Sequence, residues 1–197
     1  LPGRVRLLGT PAEERGCGKE LMAREGALEG VDAAMMMHPS GLNMVTMPCM
    51  AMAELEIVYH GRSAHAAAMP QQGVNALDAM MIGYQGVAAL RQHIGGDERI
   101  HGIITDGGQA PNIVPERTAG HFYARAANFE ALEPLKRRVE ACFRAGAQAT
   151  GCEIEARWGV ADYRDILFNE PLADAFRSNA EALGREFFPR DKLPASI

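Results

Sequence analysis

The sequence has no apolar run near the roughly 18 residues needed to span a bilayer. It has no basic stretch leading into an apolar core, the mark of a secretory signal. It has no CxxC pair. Its four cysteines, Cys17, Cys49, Cys142 and Cys152, stand far apart, which argues against a disulfide framework or a Cys-rich zinc knuckle. Unpaired thiols suit a reducing compartment, so the expected location is cytoplasmic. There is no basic excess: 20 Lys and Arg against 25 Asp and Glu leave a formal net charge of -5. The basic residues are dispersed, so neither a nucleic-acid nor a membrane partner is expected. No internal repeat and no low-complexity tract is present. The first residue is Leu1 rather than Met, and the expectation is a central fragment of a longer protein.

What is there is ordinary globular composition. The 197 residues are 47% hydrophobic and 23% charged, enough for one large domain or two small ones. The eleven methionines lie mostly in apolar segments and read as core filler.

Along the chain, "RVRLL" at 4–8 and "VDAAMMMHP" at 31–39 read as buried strands flanking a helix in "GKELMAREGAL", with Gly26 as its stop. Strand, helix, strand with apolar strands predicts a βαβ unit with parallel strands. The pattern changes near residue 52. "AELEIVYHG" alternates, with Leu55, Ile57 and Tyr59 on one face, as a half-buried strand does. A helix follows, capped by Asn75, with Leu77, Met80, Tyr84, Val87 and Leu90 on one stripe. Gly83 and Gly86 inside it each cost about 1 kcal/mol against Ala, which close packing against a neighbour would offset. Two strands, "RIHGIITDGG" and "TAGHFYARA", precede a second amphipathic helix carrying Leu132, Leu135, Val139, Cys142 and Phe143. "CEIEARWG" is a closing strand.

Residues 52–161 therefore read β-α-β-β-α-β, the ferredoxin-like order. A last helix, capped by Asn169, turns Leu172, Phe176, Ala180, Leu183 and Phe187 inward. The expected architecture is an α/β domain (1–51, continued at 162–197) interrupted by an inserted α+β domain (52–161). The same strand and helix order occurs in RNA-recognition domains. The strands "RIHGIITDGG" and "TAGHFYARA" lack the signature with paired aromatics of that class and the charge is acidic, so RNA binding is set aside.

Glu13 and Glu14 are adjacent like charges at the end of an apolar segment. In open α/β sheets, ligands bind beyond the carboxyl ends of strands. His38 holds the equivalent position after the second apolar segment. One Glu can ligate a metal while its neighbour takes a proton from an attacking water. The plainer alternatives are a solvated Glu pair opening a helix and a capping or buried histidine.

The segments "GTPAEE", "MMMHP", "YHGRSAHAAAMPQQGVNALDA", "DGGQAPNIVPE" and "FYARA", in this order, resemble the amidohydrolase branch of metallopeptidase family 20, the aminoacylase and carboxypeptidase clan that includes aminobenzoyl-glutamate hydrolase-like proteins. The resemblance covers essentially the whole chain. It implies two divalent metal ions, zinc or manganese, and cleavage of the amide bond of a small acylated amino acid or dipeptide. It implies that 1–51 and 162–197 are parts of a zinc-peptidase-like catalytic domain, incomplete here, that the ferredoxin-like 52–161 is its lid and dimerisation domain, and that the protein is a homodimer through that lid. Glu13 matches the general base, Glu14 a metal ligand and His38 a further metal ligand. His65 matches a lid histidine that reaches the neighbouring subunit's active site. Asn112 matches a substrate-contacting lid residue, and Arg125 an arginine holding the substrate carboxylate. Read without the resemblance, His65 is a surface-loop histidine, Asn112 an Asx-turn residue and Arg125 a strand-face arginine. The family's His-x-Cys-Gly-His-Asp-type motif and its C-terminal metal histidine do not occur, so a complete di-metal site is not expected from these residues. The alternative for the chain taken alone is a non-catalytic lid and dimerisation module.

Overall fold

The structure, a computed structural model, describes residues 3–13 and 16–187. Its elements are α1 (Gly18–Arg24), β1 (Ala51–His60), α2 (Ala76–Leu90), β2 (Arg99–Asp106), β3 (Arg117–Ala126), α3 (Phe129–Thr150), β4 (Glu153–Trp158) and α4 (Glu170–Ala182).

The four strands form one antiparallel sheet in the order β2-β3-β1-β4. α2 links β1 to β2 across β3, and α3 links β3 to β4 across β1, which is the split βαβ arrangement the alternation predicts. The alternation also decides the faces. Ala51, Ala53, Leu55, Ile57 and Tyr59 of β1 are buried under the two helices, and so are Phe122, Ala124 and Ala126 of β3. The residues between them face away from the helices.

The helices pack on that face because both are amphipathic and both carry glycine where they meet. Asn75 accepts from the Leu77 and Asp78 amides and caps α2; Asn128 accepts from Ala131 and caps α3. α2 buries Ala76, Ala79, Met80, Gly83 and Val87. The stripe is thus rotated from the expected one toward its small residues. The reason is close approach. A Cβ on Gly83 would lie 2.7 Å from Phe143 Cδ1 and 2.8 Å from the Tyr59 hydroxyl, and one on Gly146 would run into the Ala79 carbonyl. α3 buries Leu132, Leu135, Val139 and Phe143 as expected.

Two expectations fail. Residues 4–8 and 31–37 are not strands, and no parallel βαβ unit forms among the described residues. Val5 is 99% exposed and Leu7 96% exposed, and Met35, Met36 and Met37 are exposed too. A strand is held by a hydrogen-bonded neighbour, and no described segment pairs with either of these. Their apolar character is real, but it faces solvent here. The helix between them does form, and Gly26 follows it with φ +83. α4 also forms, capped by Asn169. Only Ala173 of it is buried; Phe176 and Leu183 of the expected inward stripe are exposed.

Candidate functional site

The candidate residues fall at the two ends of the sheet. At one end is the segment carrying Glu13. Its backbone is unusual: Ala12 (φ 56) and Cys17 (φ 52) both adopt left-handed conformations without being glycine. Hydrogen bonds to distant residues hold it. The Tyr163 hydroxyl donates to the Glu13 carbonyl at 2.7 Å, and the Cys17 thiol donates to the Ala161 carbonyl at 3.1 Å. Cys17 is buried, and burial pushes its thiol pKa up. The Glu13 carboxylate itself is half-exposed, 3.9 Å from Lys19 Nζ. Glu14 lies outside the described residues.

Tyr163 also exchanges both backbone hydrogen bonds with Met52, at 2.9 Å each. Met52 pairs with Arg125 on its other side. Arg125 therefore sits at the Glu13 end of the sheet, on the face away from the helices. It stands opposite Arg99 on β2. Among the described residues its guanidinium has no hydrogen bond or ion pair. His101 is nearby, and its pKa is lowered by burial, then by Arg125 and Arg91. Two guanidiniums, Arg99 and Arg125, thus share this end with the Glu13 and Glu54 carboxylates.

The loops carrying His65 and Asn112 meet at the other end. Gly61 N donates to Glu116 O (2.8 Å), Ala66 N to Asn112 O (3.0 Å) and Val114 N to Ala64 O (2.9 Å). His65 and Ile113 form a bridge. Arg62 closes the base of the loop, pairing with Val74 and donating from Nε to the Gln72 carbonyl at 2.6 Å. Gly73 lies close against Val114 where the loop passes it: a Cβ there would lie 3.0 Å from a Val114 methyl. His65 Nδ1 accepts from the Ala67 and Ala68 amides at 3.3 and 3.1 Å. An accepting Nδ1 places the proton of the neutral ring on Nε2, which leaves Nε2–H as a donor. Asn112 makes no side-chain hydrogen bond among the described residues, so the Asx-turn does not form.

The structure joins His65 to Asn112 and Glu13 to the Arg125 end, and it separates the two pairs. Met52 and His60 are eight residues apart on β1, about 26 Å at 3.3 Å per residue. His38 is exposed, with Nδ1 2.8 Å from the Pro39 carbonyl oxygen. No hydrogen bond or ion pair joins it to Glu13. Among the described residues, no group of three or more His, Cys, Asp or Glu side chains is placed to hold a metal ion. No described helix is long and apolar enough to cross a membrane.

Sequence reasoning passed over Tyr163 and Cys17. A lone Tyr and a lone Cys carry no spacing signal, and their contacts with residues about 150 positions away exist only in the fold.

The family model described as a peptidase dimerisation domain, M20_dimer, matches residues 51–150. The chain belongs to the M20 peptidase family. Peptidases of the M20 family are typically metal-dependent hydrolases. Among curated proteins the chain is similar to Xaa-Arg dipeptidase of Mus musculus, 41% identical over 98% of this chain and 44% of that protein. It is also similar to a p-aminobenzoyl-glutamate hydrolase polypeptide of Escherichia coli, 34% identical over 81% of this chain and 34% of that one. The chain thus spans less than half the length of these relatives. Among solved structures it resembles the aminobenzoyl-glutamate utilization protein of Klebsiella pneumoniae, with a TM-score of 0.68 at 20% identity over 89% of this chain and 44% of that one. That likeness speaks to the fold of this M20 chain.

Proposed function

We propose that the chain is the central part of a cytoplasmic, metal-dependent amidohydrolase or dipeptidase that cleaves the amide bond of a small acylated amino acid or dipeptide. The similarity to a dipeptidase over 98% of the chain carries this reading. The four free thiols support the cytoplasmic location. Two divalent ions, zinc or manganese, belong to the reading, with Glu14 and His38 as ligands. The described residues do not by themselves make up a metal site, so the remaining ligands would come from the rest of the whole protein.

In this reading Glu13 accepts a proton from the attacking water and delivers it to the departing amine. Arg125, with its unpaired guanidinium, holds the substrate carboxylate, the bidentate partner it suits best. Nε2–H of His65 donates to the scissile carbonyl oxygen as charge builds on it, and Asn112 contacts substrate beside it.

The separation of the two pairs supports a homodimer through the lid. His65 lies at the far end of β1 from Glu13, so it would act on a partner's site about a twofold axis. Ile103 and Ile104 on the edge strand β2, with Met81 and Ile82 on the outer side of α2, leave apolar surface exposed there.

The test is hydrolysis by the purified whole protein of dipeptides ending in Arg and of p-aminobenzoyl-glutamate, with and without a chelator. Chelator-sensitive cleavage is expected. No cleavage of any dipeptide or acyl amino acid, in protein loaded with zinc or manganese, would overturn the proposal. A second reading applies to the 197 residues alone: a lid and dimerisation module without activity. It is favoured by the match of residues 51–150 to a dimerisation domain.

A further inference from the structure

We propose that Tyr163 is a positioning residue that latches the Glu13 segment to the lid, so that the two connections between lid and catalytic part move with the catalytic loop. The proposal rests on the reading of Glu13 as general base.

The chain enters the lid at Ala51 and leaves it after Trp158. Met52 and Tyr163 clasp these two connections together through both backbone bonds. The same Tyr163 side chain reaches the Glu13 carbonyl. One residue therefore joins three separate stretches of chain. The Glu13 segment needs such a tie. Non-glycine residues in the left-handed region cost energy locally and persist only where surrounding contacts over-determine them. Ala12 and Cys17 flank Glu13 in that conformation. The described backbone bond across the segment, Gly18 N to the Ala12 carbonyl, is long at 3.5 Å. The two long-range ties, Tyr163 to Glu13 and Cys17 to Ala161, both lead to the lid's exit connection. A hinge movement that shifts residues 161–163 is carried to Glu13, and a small misplacement of a catalytic group is costly to rate. Hinge positions of this kind are few and lie at element ends.

The experiment uses the whole protein and Tyr163→Phe, which removes the hydroxyl and keeps the ring. Tyr84→Phe serves as a control for deleting a hydroxyl elsewhere in the lid. Two quantities are read. The first is the rate at which a maleimide labels Cys17, located by peptide mass. Cys17 is 5% exposed, and Tyr163 also bonds its thiol and lowers its pKa, so labelling is followed across pH and compared as the rate constant of the thiolate, which reports lifting of the segment. The second is kcat and KM with bound metal measured alongside. Tyr163→Phe is expected to label about fivefold faster, the size of one lost hydrogen bond. It should lose about tenfold in kcat with KM and metal content unchanged. A purely structural tie would speed labelling but leave kcat at the level of the Tyr84→Phe control. Cys17→Ala cuts the parallel tie and is expected to lower kcat in the same way. Wild-type labelling or wild-type kcat in Tyr163→Phe overturns the latch. Full turnover in Glu13→Gln overturns the general-base reading instead, and the labelling rate then decides the latch alone.

Discussion

The Tyr59 hydroxyl donates to the Phe143 carbonyl at 2.6 Å, inside the core, at the point where β1, α2 and α3 meet. Burial raises the pKa of this phenol, so it stays a donor. Gly83 and Gly146 make room around it. Tyr59→Phe should cost about 1 kcal/mol in urea unfolding, the net worth of one hydrogen bond. Gly146→Ala should cost more, about 1–3 kcal/mol, because its methyl meets the Ala79 backbone rather than a movable side chain. If Gly146→Ala is neutral, the helices are not in contact as described.

Glu13→Gln and Glu14→Gln should separate in the whole protein. Loss of the base should leave bound metal nearly intact and lower turnover at least about 100-fold. Loss of Glu14 should lower metal occupancy. Metal analysis of both variants checks this, and the reverse pattern would exchange the two roles.

His65 should complement in trans. Glu13→Ala and His65→Ala are each expected to be inactive. Refolded together in equal amounts, half of the dimers are mixed, and each mixed dimer has one site with both residues intact. Activity should return to about a quarter of wild type. A dead mixture, with mixed dimers confirmed by mass, excludes action across the dimer.

Glu140 should contribute to acid sensitivity. Burial alone would raise its pKa; the Trp158 indole N–H and Arg144 outweigh it and hold the carboxyl below its ordinary value. A lowered folded-state pKa stabilises the fold above the unfolded value near 4.5, and that contribution is lost as pH falls through the folded pKa. Trp158 is the sole tryptophan, so its fluorescence follows unfolding. Glu140→Gln should be less stable at pH 7 and show a flatter fall in stability below about pH 4.5. An unchanged acid limb would remove Glu140 from the account.

The 197-residue chain alone should show no hydrolase activity with added zinc or manganese. Metal-dependent turnover at a rate like that of the whole protein would refute this.

The inserted sheet was legible in the sequence because its signals are local. Period-two alternation in β1, the Asn75 cap, and Gly83 inside an otherwise apolar helix each point to one geometry. The apolar segments at 4–8 and 31–37 misled, because apolarity states that a surface wants covering and not what covers it. Motif order carried the candidate residues, since Glu13, His38, His65, Asn112 and Arg125 sit in recognisable local phrases. Only the tertiary structure decided which of them are neighbours. Strand register put Arg125 beside Met52 and so at the Glu13 end, and the length of β1 set His65 far from it. Contacts such as Tyr163 to Glu13 join residues 150 positions apart, and pairings at that separation are made by chain topology, which no local pattern encodes.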